Sequence, residues 1–302
     1  MYKRQVDDHG AARVLAEADQ QGINFWDTAD VYGGGLSESR IAAFREAVGP
    51  DVVVATKVGR DGALYPDGYT KEKVRRNIEG SASRLGTDCV DLVQLHCVPP
   101  EVLKDGDILA WMEDFQAEGL IRHFGASVET IDEALFAAQH PKLTSLQIIF
   151  NLFRQDAIEK LFPVAEANDV GIIVRLPLAS GVLAGKMSRD TTFAETDHRN
   201  YNRDGAAFSQ GETFSGVPFE KALDLVEYIR PMVPDGMSMA QMAMRWLLDQ
   251  PAVSTVITGA TRVEQVAENA SVSALPPLSS ELHARLTYFY WAEVAPAICV
   301  PV

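Results

Sequence analysis

The chain has little cysteine, no long apolar run and a shortage of positive charge. Its three cysteines in 302 residues, Cys89, Cys97 and Cys299, have no metal-ligand spacing. Cys89 and Cys97 fall on or beside one expected strand and cannot easily bridge. This argues against a disulfide scaffold and for free thiols in a reducing compartment. No apolar stretch approaches the roughly 20 residues that cross a bilayer. Met1-Tyr2-Lys3-Arg4-Gln5 has no apolar signal core behind it, so a cytoplasmic protein is expected. Lys and Arg number 27 against 42 Asp and Glu, a formal net charge of −15. Nucleic acid and anionic membranes would repel such a chain and are not expected partners. Asp197-His198-Arg199 lacks a further His or Cys at suitable spacing, so no metal is expected.

Hydrophobic residues make up 47% and charged residues 23%, the balance of an ordinary globular protein with a substantial core. Short β-branched runs too brief for helices alternate with amphipathic stretches. Strands are expected over 23–26, 51–57, 90–96, 121–127, 145–151, 171–178 and 253–257. Helices are expected over 8–21, 37–48 with Ser37 as cap, 70–85, 107–118, 130–139, 156–168, 219–230, 238–249, 262–270 and 279–291. Pro99-Pro100 reads as loop. Residues 188–217 have little periodic apolar content, and a loop of that length is usually functional or mobile. Such alternation predicts a parallel sheet covered by helices, as one domain over residues 1–302. A closed (β/α)8 barrel would need one more strand before the first helix. Either that strand is absent, or the chain starts inside a longer reading frame.

Several strands end on polar residues, where α/β enzymes place their chemistry. Asp27 closes the first strand, Lys57 the second and His96 the third, and Tyr32 follows Asp27 on a turn into Gly33-Gly34-Gly35. Singly, each has an ordinary reading: a turn cap, a packed turn residue, a solvent-facing strand end, a core histidine. Together they form a proton-donating device. A free tyrosine has a pKa of about 10. A nearby ammonium would favour the phenolate and lower that value, an aspartate would hold the lysine, and a histidine would orient a substrate oxygen.

Asn24-Phe25-Trp26-Asp27-Thr28-Ala29 through Tyr32-Gly33, with Thr56-Lys57 and Asp91-Leu92-Val93-Gln94-Leu95-His96, resembles the aldo-keto reductase signature. The resemblance runs through nearly the whole chain. It implies a (β/α)8 TIM barrel, with seven strands readable here, that binds NADP(H) across its carboxyl-terminal face and reduces a small aldehyde or ketone. By that match Tyr32 is the general acid or base, Lys57 and Asp27 tune it, and His96 orients the substrate.

Cofactor positions carry over in the same way. Ser127, in Gly125-Ala126-Ser127, and Gln147 match ligands of the nicotinamide carboxamide. Val128 stands where Asn is common, and Arg175 where an aromatic often stacks on the ring; a guanidinium plane can also stack. Pro177-Leu178-Ala179-Ser180-Gly181-Val182-Leu183-Ala184-Gly185-Lys186 matches the segment over the pyrophosphate. Gly259, Thr261, Arg262, Gln265, Glu268 and Asn269 match the site for the adenosine end. There Arg262 would take a 2′-phosphate, which favours NADP over NAD.

Trp26, Trp111, Phe124, Phe153 and residues 197–216 are candidates for a pocket lining, although single aromatics near strands are more often core. A second functional class also fits the resemblance: a cofactor-binding regulatory or sensor subunit with weak catalysis. That role would favour a homo-oligomer.

Overall fold

A computed structural model of the chain describes residues 6–206 and 209–302. The expectation about a strand before the first helix falls on residues 1–5, outside the described residues. Seven strands occur among those described. They are β1 (Phe25–Asp27), β2 (Val53–Val58), β3 (Val90–His96), β4 (Ile121–Ser127), β5 (Ser145–Ile149), β6 (Gly171–Arg175) and β7 (Val253–Val256). They pair in sequence order, and every pairing is parallel. Each connection returns through helical structure, so all strand carboxyl ends lie at one mouth. The result is a nearly closed α/β barrel of the TIM type. Among the described residues β1 pairs only with β2 and β7 only with β6, which leaves a seam between β1 and β7.

Side chains alternate across a strand, so every second residue enters the barrel. Phe25, Ala55, Leu92, Ile173 and Ile257 form an apolar layer inside. Two residues further along β1, β2, β3 and β6 stand Asp27, Lys57, Gln94 and Arg175. Polar groups thus crown an apolar floor. The larger core lies between the sheet and its helices, where Trp26, Phe124 and Phe153 are buried and Trp111 is partly so. These aromatics are packing residues rather than a pocket wall.

Most expected helices form, and the differences have local causes. The second helix, Leu36–Val48, starts at Gly35 with no side-chain cap, and Ser37 lies inside it. The Ser37 hydroxyl instead accepts from Thr28 Oγ1 at 2.7 Å, tying the helix to the β1 loop. Residues 156–168 form two short helices, Ala157–Lys160 and Phe162–Ala167. Pro163 has no N–H to continue the ladder, which accounts for the break. Pro100–Lys104 is a short helix with Pro in its first turn, where proline is tolerated, rather than the expected loop. Among its described residues the long segment contains one helical turn, His198–Tyr201, and two 3₁₀ turns, Gln210–Glu212 and Phe214–Gly216. Among the described residues no helix is long and apolar enough to cross a membrane.

Candidate active site

Lys57 is the centre of the barrel mouth. Its side chain is only 1% exposed, and its ammonium directs three donors at three oxygens. Asp27 Oδ2 accepts at 2.5 Å, the Thr28 carbonyl at 2.8 Å and Tyr32 Oη at 3.4 Å. The other Asp27 oxygen, Oδ1, accepts from Gln147 Nε2 at 2.8 Å and Gln94 Nε2 at 3.4 Å. The barrel therefore brings Asp27, Tyr32 and Lys57 together as their positions at neighbouring strand ends suggest. His96 joins them, its ring edge-on to Tyr32 with centroids 6.0 Å apart.

Tyr32 reaches this point because the chain reverses directly after it. Gly33, Gly34 and Gly35 all take positive φ, at 63°, 65° and 90°, which a side chain would disfavour. Glu38 lies fully buried beneath the reversal, accepting from Arg84 Nε at 2.6 Å and from the Thr56 hydroxyl. Asp30, also buried, accepts from the Val31 amide at 2.7 Å.

Burial and neighbouring charge set the protonation of the centre. Burial pushes the Tyr32 phenol above its ordinary value, and Lys57 offsets only part of that push. This reverses the expectation of a lowered phenol: desolvation of a phenolate outweighs the ammonium beside it. Burial also opposes the Lys57 charge, but Asp27 and Tyr32 outweigh it and hold the ammonium protonated. The His96 imidazole is held well below its ordinary value, first by burial and then by Lys57, Arg60 and Arg175. At neutral pH the centre is thus a protonated phenol, an ammonium–carboxylate pair and a neutral imidazole.

Two ion pairs sit above it. Arg60 Nη2 bonds Glu129 Oε1 at 2.8 Å, and Arg175 Nη1 lies 3.1 Å from Glu212 Oε1. Arg175 Nη2 also donates to the Val128 carbonyl at 3.0 Å and contacts Cys97 Sγ at 3.7 Å. The sequence marks none of Gln94, Arg60 and Glu129 as site residues, Cys97 only as a free thiol, and Glu212 only within the candidate lining of residues 197–216. Gln94 was within reach, because it lies two residues before His96 on the same strand face. Glu212 reaches the mouth from residues 197–216, the segment expected as pocket lining, although nothing in the sequence distinguishes it within that segment. Cys97, Glu129 and Glu212 offer clustered metal-type ligands, but guanidiniums already pair with both carboxylates.

The expected cofactor residues follow the ends of β4 to β7. Ser127 ends β4 and donates to Gln147 Oε1 at 3.4 Å. Arg175 ends β6, and Pro177 and Leu178 follow it. Ser180 and Gly181 take positive φ at 57° and 94°, in a 3₁₀ segment, Ala179–Ala184. The Ser180 hydroxyl donates to the Glu212 carbonyl at 2.9 Å and accepts from the Phe214 amide at 3.2 Å. Leu183 is fully buried. The Gly185 carbonyl accepts from Arg230 at 3.1 Å, and Lys186 is exposed. After β7, Gly259, Thr261 and Arg262 are exposed at the start of the helix Val263–Ser271, which carries Gln265, Glu268 and Asn269. Gln265 Oε1 accepts from the Thr261 amide at 2.9 Å.

This donor set fits a nicotinamide dinucleotide. Gln94 Oε1, His96 Nδ1, Arg60 Nε and Arg175 Nε are buried at the mouth without hydrogen-bond partners, so the site has polar capacity for a ligand. Ser127 and Gln147 offer both donor and acceptor groups to a carboxamide, and Arg262 offers an exposed guanidinium to a phosphate.

The model of the Aldo/keto reductase family matches residues 2–290. The chain is 29% identical over 301 residues to a probable voltage-gated potassium channel subunit beta of Oryza sativa subsp. japonica, covering 93% of this chain and 87% of that protein. It is 28% identical over 272 residues to the NADH-specific methylglyoxal reductase of Escherichia coli, covering 85% and 80%. Among solved structures, the glycerol dehydrogenase AKR11B4 from Gluconobacter oxydans superposes with a TM-score of 0.78 at 26% identity, covering 99% of this chain and 89% of that one.

Proposed function

Because the chain belongs to the aldo/keto reductase family, we propose that it reduces a small aldehyde or ketone to the alcohol with NADPH in preference to NADH. The bound cofactor supplies hydride to the carbonyl carbon. Tyr32 Oη donates its proton to the carbonyl oxygen, so one C–H and one O–H bond form as the C=O π bond is lost. The phenolate left behind faces the Lys57 ammonium, whose charge stabilises it as it develops. Asp27 keeps that ammonium charged and in place. Neutral His96 hydrogen-bonds the same carbonyl oxygen and fixes its direction toward Tyr32. The phenolate regains a proton from solvent after the alcohol leaves.

Ser127 and Gln147 take the carboxamide in this reading. Pro177, Leu178, Ser180, Gly181, Leu183, Gly185 and Lys186 take the pyrophosphate region. Gly259, Thr261, Arg262, Gln265, Glu268 and Asn269 take the adenosine end. The preference for NADPH rests on Arg262 as partner of the 2′-phosphate, and the Escherichia coli relative named NADH-specific shows that relatives differ here.

The observation that carries the proposal is the three-way bonding of Lys57 to Asp27, Thr28 and Tyr32. Cofactor oxidation with a panel of short aldehydes and ketones, run in parallel with NADPH and NADH, tests it. Turnover with at least one carbonyl is expected, with the lower KM for NADPH. Tight cofactor binding without turnover on any carbonyl would instead favour a regulatory subunit, a reading supported by the similarity to the Oryza sativa channel subunit.

A further inference from the structure

The cations around Tyr32 are paired. Lys57, Arg60 and Arg175 face three carboxylates, Asp27, Glu129 and Glu212, although burial pushes Glu129 up against the pull of Arg60 and Arg175. Each cation is paired with one of these carboxylates, at 2.5 Å for Lys57–Asp27, 2.8 Å for Arg60–Glu129 and 3.1 Å for Arg175–Glu212. The remaining titratable groups there are neutral: the phenol of Tyr32, the imidazole of His96, and the Cys97 thiol, which burial pushes up.

The Arg175–Glu212 pair differs from the other two. Both its side chains are nearly enclosed, at 10% and 12% exposure, and both act electrostatically on Tyr32. Its members also have different anchors. The Val128 carbonyl and Cys97 hold Arg175. Glu212 belongs to the long irregular segment, whose backbone Ser180 ties down at the Glu212 carbonyl.

The inference rests on the proposed reading, in which a hydride-carrying ring lies beside a carbonyl bonded to Tyr32. Reacting atoms must approach to about 3–3.5 Å. Any such ring therefore lies within the field that Arg175 and Glu212 exert on Tyr32. A reduced nicotinamide is neutral and the oxidised ring carries one positive charge, so the two forms respond differently to a fixed cation or anion in a poorly hydrated site.

We propose that Arg175 and Glu212 are a specificity-determining pair that sets the relative affinity for oxidised and reduced cofactor. Arg175 disfavours the oxidised ring, and Glu212 makes the oxidised ring tolerable. Together they set the balance between reduction and alcohol oxidation. The phosphates and adenosine are common to both forms, so the ratio of the two dissociation constants isolates the ring. Glu212→Gln removes the anion without changing shape and leaves Arg175 uncompensated. Arg175→Met removes the cation while keeping a long side chain.

The test is calorimetric measurement of the dissociation constants of NADP+ and NADPH without carbonyl substrate, for the wild type, Glu212→Gln, Arg175→Met and Arg175→Lys. The ratio of the NADP+ constant to the NADPH constant should rise on the order of tenfold in Glu212→Gln and fall by a similar factor in Arg175→Met. It should stay within about threefold of the wild type in Arg175→Lys, which keeps the charge. A purely structural role would move both constants together and leave the ratio unchanged. A constant ratio, or shifts of the same sign in the two charge-removing variants, overturns the proposal. Failure of the wild type to bind either form would instead overturn the cofactor reading beneath it.

Discussion

Asp30 lies two residues before Tyr32 in the loop that delivers the phenol, and its second carboxylate oxygen is buried without a partner. Burial pushes its pKa up to about 6, although the Val31 amide and Asn77 pull the other way, and Glu38 and Asp61 add to the rise. The folded pKa is therefore above the unfolded value of about 3.9. The folded state holds this proton more tightly, so the contribution to stability is complete below about pH 4 and is lost as pH rises through about 6. A shift of about two units corresponds to roughly 3 kcal/mol. Asp30→Asn has no proton to lose and keeps an acceptor for the Val31 amide. The variant should therefore gain up to about 3 kcal/mol on the wild type between pH 4 and pH 7, read by urea denaturation at both ends. A difference that stays constant across that window would show that Asp30 does not carry this linkage. At this scale Asp27, Lys57 and His96 were legible in the sequence because each is a polar residue ending a buried run. The raised Tyr32 pKa was not, because it depends on how far the tertiary structure removes the phenol from water.

At the scale of elements, the strands carry the site and the seam is their weakest feature. β3 and β4 have partners on both sides, whereas β1 and β7 have one each among the described residues. Backbone groups on an unpaired edge meet water more often and open locally at lower cost. Amides of β1 and β7 should exchange with deuterium at least about tenfold faster than those of β3 and β4. Equal protection across all seven strands would mean that the seam is closed in solution. The parallel sheet was readable from the alternation of short β-branched runs and helices, and the helix starts near 70, 130, 238 and 279 agree with the side-chain caps that Thr70, Thr130, Ser238 and Ser279 provide. The apolar period runs unbroken across Pro163, so the division of residues 156–168 does not show in it. The Arg175–Glu212 and Arg60–Glu129 pairs were not legible, since each joins segments whose approach only the closed fold produces.

At the scale of the whole molecule, a net charge of −15 surrounds a mouth whose cations are each paired with a carboxylate. A polyanionic cofactor approaching such a surface depends on local cations, and Arg262 is exposed at the start of its helix. Arg262→Ala should raise the dissociation constant of NADPH by on the order of tenfold and leave that of NADH nearly unchanged. The proposed advantage of NADPH over NADH should also shrink as salt is added, because the charges meet near solvent. A loss shared equally by both cofactors would show that Arg262 does not read the 2′-phosphate. The proposed chemistry turns on Tyr32, held by Lys57 and Asp27, as the proton donor for carbonyl reduction. The most direct measurement is a single-turnover assay of Tyr32→Phe on an aldehyde that the wild type reduces, alongside NADPH binding by the same variant. Hydride transfer should fall by about 10²–10⁴-fold with NADPH affinity retained, whereas transfer at the wild-type rate would contradict the account.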